Sequence, residues 1–310
     1  MLQLQVNHDD PLHALSLGRE RVRALVEEGA ADLAATEAVR ALARHWRCPE
    51  RACAAAAADL LSDLGVLRYD AADRLSARAC LEAALELVPE HELARENHRE
   101  LMIDMAERPV LPRPPPLNEA LKALAAAHLG AGAEPLSTAE ALATADGALI
   151  RWVGRAPTSA PLHQTLRQLR HALTPGGVAV LCIGPLLSGV RVPHRPNGDD
   201  EAPSTNSILP PWGHLTLADD ELRFYLELTR GPLVARLIRQ AWAPLLAAPL
   251  TEADCRDQIG RSGLHVHQLT HLGKVTWPSD AMALHLRALL PDRSRPQIEH
   301  LAVVLERRVA

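Results

Sequence analysis

The sequence predicts two parts, an all-helical N-terminal domain and a C-terminal α/β domain built on a parallel sheet. Residues 11–108 are rich in Ala, Leu, Glu and Arg and show no period-two alternation, which favours helix throughout. Residues 148–183 show the pattern strand, amphipathic helix, strand, the order of a right-handed βαβ unit. The segment 109–117 holds five prolines. The predicted domains are therefore 1–108 and 118–310, joined by the proline-rich linker.

Composition and charge limit the kinds of protein this can be. Apolar residues make up 47% and charged residues 23% of the 310 residues, which is typical of globular chains and too polar throughout for a membrane span. The net charge of −5, with arginines spread among acids, argues against binding to nucleic acid. Five cysteines, odd in number and without CxxC spacing, favour reduced thiols. The chain opens without a signal-peptide pattern, so we expect a cytoplasmic location.

The segment 58–91 has the pattern of two antiparallel helices that pack closely. Gly65 and Ala77 are small enough to let the helices approach, and Pro89 ends the unit. The segment resembles a tetratricopeptide repeat, although Arg68 stands where that pattern prefers tyrosine. The positions that match are Leu61, Leu64, Gly65, Ala77, Leu81, Ala84 and Pro89.

Two flanking segments extend this resemblance. Residues 15–57 look like a more degenerate copy of the repeat, and residues 92–107 supply a closing helix. The resemblance implies a helical-hairpin domain that binds a protein or peptide partner. The alternative is that these helices only pack against the second domain, because a short array buries little surface by itself.

A second resemblance competes for part of the same region. Residues 36–70 are also similar to the winged-helix segment with which many small-molecule O-methyltransferases dimerise, which would imply a homodimer. That interpretation requires a β-wing after Tyr69-Asp70, whereas residues 71–87 read as strongly helical.

The linker at 109–117 is expected to be extended. Proline lacks the amide hydrogen that a helix needs and fixes φ, so the run PVLPRPPPL favours a polyproline-II spacer. A PxxP ligand for an SH3-type domain is a less favoured interpretation.

The second domain opens with a clear βαβ pattern. After the predicted strand at 148–153, leucines recur with helical spacing at 162, 166, 169 and 173. Pro175-Gly176-Gly177 then ends the helix, and the apolar run at 178–183 predicts a strand buried on both faces.

This order resembles the C-terminal half of a class I S-adenosylmethionine-dependent methyltransferase, over about residues 136–308. The strand at 148–153 would be the fourth of that family, the strand after Gly177 the fifth, and HLAVVLERR the seventh, antiparallel strand. Thr251 caps the helix before the sixth strand, and Gly263 precedes that strand. The resemblance implies a Rossmann-like sheet of the methyltransferase type.

The cofactor-binding half of that family has no counterpart here. Its glycine-rich turn lets the backbone approach the ligand after the first strand. In this sequence the only Gly-x-Gly is Gly130-Ala131-Gly132, which follows the helical pattern of Leu121 to Leu129 rather than a strand. We therefore expect a truncated sheet and no bound cofactor, or S-adenosylmethionine if the protein is active.

Four residues are candidates for a ligand or catalytic site. Arg151, Trp152 and Gly154 lie at the carboxyl end of a predicted parallel strand, where open α/β sheets bind ligands. His163, just after that strand, is a candidate general base for methyl transfer. His163 and His171 both fall outside the leucine stripe, which predicts that they face solvent.

His265 and His267 are the candidate metal ligands. In a strand they share one face, and an H-x-H pair binds zinc when a third ligand is near. The favoured interpretation is that their imidazoles are neutral and hydrogen-bonded or solvated, so that no metal is expected.

The loop at 186–214 is long for a compact domain, which is typical of a lid or a disordered segment. Its end, Pro210-Pro211-Trp212-Gly213-His214, suggests a closing segment with Trp212 as an apolar flap over a site.

Three functional hypotheses are compatible with these patterns. The first is a methyltransferase-like scaffold or partner subunit without catalysis, recruited through the helical repeats. The second is an active S-adenosylmethionine-dependent methyltransferase acting on a metabolite or a peptide. The third is a winged-helix regulator, which would retain DNA in a strongly salt-dependent way, or an O-methyltransferase-type dimer. The first two involve neither nucleic acid nor a membrane.

Overall fold

The structure is a computed structural model that describes residues 10–45, 51–107, 116–130, 148–153, 162–184, 209–247, 251–272, 278–289 and 300–308. In chain order its elements are α1 (Pro11–Glu27), α2 (Ala31–His45), α3 (Arg51–Asp70), α4 (Arg74–Leu87), α5 (Glu92–Glu107), α6 (Pro116–Leu129), β1 (Ala148–Val153), α7 (Leu162–Ala172), β2 (Val178–Gly184), α8 (Gly213–Thr216), α9 (Asp219–Arg230), α10 (Pro232–Ala247), α11 (Glu252–Arg261), β3 (His265–Leu272), α12 (Asp280–Leu289) and β4 (His300–Glu306).

The chain forms two compact units, and neither is continuous in sequence. Unit 1 comprises Met1–Pro112, Ser204–Arg239 and Pro278–Leu289, and unit 2 comprises the remaining segments, Arg113–Pro203, Gln240–Trp277 and Leu290–Ala310. The units therefore differ from the sequential domains 1–108 and 118–310 that the sequence predicts. The reason is that α9 packs against α2 and α4 in unit 1.

Two N-terminal helices end next to a glycine or a proline. Helix α1 ends before Gly29, whose φ of +78° suits glycine. Helix α4 ends at Leu87, just before Val88-Pro89. Residues 71–91, all of them described, contain helix and turns but no strand. The β-wing that the winged-helix interpretation requires is therefore missing, because Asp73 caps a new helix at that point.

Helices α3 and α4 approach each other as closely as the predicted pattern requires. A Cβ atom added at Gly65 would lie 2.8 Å from the Cγ atom of Leu81 and 3.4 Å from the backbone oxygen of Ala77. Leu61, Leu64 and Leu81 are buried beside it. The close contact predicted at Gly65 is confirmed.

Replacing Gly65 with valine is expected to lower the free energy of unfolding by about 1–3 kcal/mol, because the larger side chain overpacks the α3–α4 contact. Urea unfolding followed by circular dichroism measures the effect. The matched control is Gly260→Ala on α11, where an added Cβ meets nothing within 4 Å. That substitution should be neutral, or stabilising by up to about 1 kcal/mol. Equal stability of Gly65→Val and the parent chain would contradict the expectation.

The later segments of unit 1 are attached to α2 by polar contacts. Ser279 donates two hydrogen bonds to the Asp32 carboxylate, from its backbone N–H at 2.9 Å and from its hydroxyl at 2.6 Å. Arg40 donates to the backbone oxygen of Thr216 at 2.8 Å and lies 3.3 Å from a carboxylate oxygen of Glu221. These bonds hold α8, α9 and α12 against the N-terminal helices.

Unit 2 is built on a sheet with the strand order β1-β2-β4-β3 in the described residues. Strand β1 pairs with β2 in parallel, and β4 lies antiparallel to both β2 and β3. All four strands lie at the predicted positions, and the antiparallel direction of the last one is confirmed. The sheet therefore has the strands in the chain order that the sequence analysis expects.

Helices cover both faces of this sheet. On one face, the leucine stripe of α7 packs with α11 against β2 and β4. The residues that it meets there include Cys255 and Ile259 of α11, Leu181 of β2 and Val303 of β4. On the other face, α6 packs against the same two strands.

Strand β2 lies between these two helical layers. It is accordingly buried at every position from 179 to 184. The chain ends α7 sharply at Ala172 because it must turn back into this buried strand.

The region around α6 corrects the prediction of an extended linker and confirms the predicted helix before Gly130. Helix α6 begins at Pro116, so the predicted extended linker is wrong at 116 and 117, because proline is well tolerated in the first turn of a helix. Residues 108–115 lie outside the described residues. Gly130 follows the helix with a φ of +93°, as expected of a glycine that ends a helix.

Local signals in the C-terminal part are confirmed. The hydroxyl of Thr251 accepts a hydrogen bond from the backbone N–H of Asp254 at 3.1 Å, which caps α11. Gly263 precedes β3 with a φ of +73°. Among the described residues, every helix is too short or too polar to cross a membrane.

Candidate functional site

The carboxyl ends of β1 and β2 form the rim where the sequence places a ligand site. In the parallel register Arg151 pairs with Cys182, Trp152 with Ile183, and Val153 with Gly184. Gly154 lies outside the described residues. Arg151, Trp152 and Gly154 remain predicted ligand-binding residues.

His163 is the second residue of α7 and is exposed. His171, near the end of the same helix, is exposed as well. The leucine stripe is buried, so the prediction that both imidazoles face away from it is confirmed. The role of His163 as a general base stays a prediction.

His265 and His267 meet a third candidate ligand that the sequence analysis missed. Glu306, at the end of β4, pairs directly with His265 in the antiparallel register. One ligand atom from each of His265, His267 and Glu306 lies within 4.8 Å of the other two. The His267 Nε2 atom is 2.7 Å from a carboxylate oxygen of Glu306. Two imidazoles and a carboxylate therefore converge at this end of the sheet.

A β-bulge shapes this cluster. Val266 pairs with Leu305 and Gln268 with Val304, so that His267 is the extra residue of β3. Bulges commonly re-aim a side chain, and here the two imidazole rings meet edge to face with their centroids 5.1 Å apart.

Charged side chains lie near the cluster of His265, His267 and Glu306. The guanidinium of Arg308 lies beside His265, with 3.1 Å between Nη2 and Nε2. Farther along β3, His271 lies 3.3 Å from the carboxylate of Glu252. Burial of Glu252 acts to raise its pKa, but hydrogen bonds from Arg256 and His271 outweigh burial, so the pKa is lowered. Glu252 is therefore kept ionised by Arg256 and His271, and these contacts are separate from those of Glu306.

Unit 1 contains a buried ion pair that the sequence analysis also missed. Arg68 is 1% exposed and Asp73 is fully buried. Arg68 donates to the Asp73 carboxylate from Nη2 at 2.6 Å and from Nε at 3.2 Å, and to the backbone oxygen of Leu209 at 3.0 Å. Asp73 also accepts from the backbone N–H of Ser76, and Arg230 lies 3.6 Å away. The pair joins α3, α4 and the chain before α8.

The surroundings of this ion pair favour a structural role. Burial opposes the charge of Arg68, yet Tyr225 and Asp73 keep its pKa above the ordinary value. Burial raises the pKa of the Cys80 thiol to about 12 and also raises the pKa of Tyr225. A thiol with so high a pKa is unreactive at neutral pH. The buried ion pair of Arg68 and Asp73 therefore stabilises the packing of the helices, and Cys80 beside it is not a nucleophile.

Trp212 corrects the prediction of an apolar flap. Its side chain is fully buried, and its φ of 55° lies in the left-handed region. The backbone oxygen of Trp212 accepts from the Thr216 hydroxyl at 3.1 Å, at the start of α8. An apolar ring beside two prolines has the composition of a mobile lid, but here it is buried in unit 1. Residues 186–208 of the predicted loop lie outside the described residues.

Comparisons with known proteins give only distant similarity. No protein-family model and no curated protein matches the chain. Among solved structures, the chain is similar to an S-adenosylmethionine-dependent methyltransferase from Mesorhizobium loti, with 16% identity over 53% of this chain and 64% of that chain and a TM-score of 0.24. It is also similar to the CurJ carbon methyltransferase, with 12% identity over 94% of this chain and 71% of that chain and a TM-score of 0.24.

Proposed function

We propose that the protein is a methyltransferase-like scaffold or partner subunit that does not catalyse methyl transfer. The observation that carries this proposal is the short length of chain between α6 and β1. Helix α6 ends at Leu129 and β1 begins at Ala148, so 18 residues separate them. That length is too short for the strand, glycine turn, helix and strand of a cofactor-binding half.

The packing of α6 supports the same conclusion. Leu121 and Ala125 are buried against Val180 and Val304, so α6 is part of the core of unit 2. The helices before it, α1 to α5, belong to unit 1. The described residues before β1 thus form helices and the turns at their ends, without a strand, which supports a truncated sheet.

The N-terminal helices support a role in recruiting a partner. The close α3–α4 contact at Gly65 has the geometry that a tetratricopeptide-like helix pair needs. Such arrays bind a protein or peptide, and we propose that class of partner for this chain.

Calorimetric titration of the full chain with S-adenosylmethionine tests the proposal. We expect no binding heat up to about millimolar ligand, while a micromolar Kd would favour the active methyltransferase. If binding is found, Arg151→Ala and His163→Gln should weaken ligand binding and methyl transfer respectively. His171→Gln is the matched control for His163→Gln, since both histidines are exposed on α7.

A further inference from the structure

We propose that His265, His267 and Glu306 form a zinc-binding site at the end of strands β3 and β4. Their three ligand atoms lie within 4.8 Å of one another. Since Zn–N and Zn–O bonds are each about 2.0–2.2 Å, atoms at this spacing reach a common ion with small side-chain rotations. The site is independent of whether the protein binds S-adenosylmethionine.

The sheet supplies a rigid base for these ligands. His265 and Glu306 are cross-strand partners, and the bulge at His267 adds the second imidazole. Residues 301–305 of β4, which lead directly to Glu306, are all buried. Ligands on packed strands are held more closely in place than ligands on loops, which lowers the entropy cost of binding an ion.

The donor atoms favour zinc over the common hard cations. Calcium and magnesium select oxygen ligands, whereas zinc accepts imidazole nitrogen and carboxylate oxygen together. Three protein ligands leave the fourth tetrahedral position to water. His267 and the carboxylate of Glu306 are partly exposed, with side-chain exposures of 43% and 25%, so an ion can reach them from solvent.

The contact between His267 and Glu306 is compatible with both the zinc-free and the zinc-bound protein. Without an ion, the 2.7 Å distance between Nε2 and the carboxylate oxygen is that of a hydrogen bond. With zinc bound, the ion takes the place of the shared proton, and the two atoms move apart to the spacing of tetrahedral ligands.

The positive charge of Arg308 beside His265 gives a second test of the proposed site. Its guanidinium lies 3.1 Å from the His265 Nε2 atom and adds a positive charge beside the ion. The guanidinium must turn away before that nitrogen binds zinc. Removing it is therefore expected to raise the zinc affinity several-fold.

The test is competition between the full-length protein and a chromophoric chelator for Zn²⁺. His267→Gln and Glu306→Gln are each expected to weaken binding at least about tenfold. The matched control is His271→Gln, because His271 lies on the same strand and has its own carboxylate partner, Glu252. That variant should bind as the parent does, Arg308→Gln should bind more tightly, and excess Mg²⁺ should not compete.

Two further readouts keep the outcome interpretable. Circular dichroism of each variant shows whether the strands are retained. Cobalt substitution should give visible absorption bands of a tetrahedral site in the parent chain, and these should be lost in His267→Gln. Equal zinc affinities of the parent, His267→Gln and Glu306→Gln would overturn the proposal, and so would binding weaker than millimolar in the parent.

Discussion

The substitution Asp73→Asn is expected to lower the free energy of unfolding by about 3–5 kcal/mol. It removes the charge that compensates a guanidinium with 1% exposure, and such uncompensated buried charges are among the costliest single changes. Asparagine keeps an oxygen that can accept the N–H of Ser76, so the cap of α4 is retained. The expected loss therefore reports on the ion pair with Arg68 and not on the cap.

Urea unfolding followed by circular dichroism measures this loss. Asp70→Asn is the matched control, since Asp70 is exposed at the end of α3, and it should change stability by less than about 0.5 kcal/mol. The double variant Arg68→Met/Asp73→Asn removes both charges and should recover much of the loss, because replacing both members of a buried ion pair with uncharged groups is often nearly neutral. A double variant less stable than Asp73→Asn alone would contradict this account.

Trp212→Ala is expected to destabilise the protein by about 3–5 kcal/mol, the range for truncating a fully buried aromatic side chain. A flap over a ligand site would show little loss of stability, since its ring would be exposed in the free protein.

Thermal and urea unfolding of Trp212→Ala distinguish a core residue from a lid. Leu237→Ala serves as the control, because Leu237 is 55% exposed on α10 and its truncation removes little buried surface. We expect that control to stay within about 0.5 kcal/mol of the parent chain. A Trp212→Ala variant as stable as the control would restore the lid interpretation.

Sequence periodicity predicted the elements of unit 2 well, for a local reason. The leucine spacing of α7, the Pro-Gly-Gly stop and the apolar run of β2 each lie within a few turns of chain. Such patterns depend on which face of a helix or strand is buried, and that information is contained in neighbouring residues. Gly65 is similar, because a small residue on a helix seam already implies a close neighbour.

Arg68 shows where local patterns were insufficient. In the repeat pattern it was only a departure from tyrosine, yet its partners include the backbone oxygen of Leu209, 141 residues away in sequence. Tyr225 on α9 faces the same buried site. A long-range pairing of this kind leaves no spacing signal, since the separation of its members is arbitrary.

Glu306 shows the same limit for the proposed zinc site. The H-x-H pattern pointed to two ligands, but the third depends on the antiparallel register of β3 and β4 and on the bulge at His267. A shift of one residue in that register would move Glu306 to the other face of the sheet. The pairing of HVHQ with the end of HLAVVLE was not encoded in either segment alone.

The amino-acid sequence by itself determined the helical N-terminal part, the positions and order of the four strands, the buried leucine stripe and the close helix contact at Gly65. The tertiary structure alone decided that Trp212 is core, that Arg68 pairs with Asp73 in a buried site, and that Glu306 joins the two histidines. The physical reason is that helix and strand formation depends on neighbours within a few residues. A site, by contrast, depends on which distant surfaces pack together and in what register.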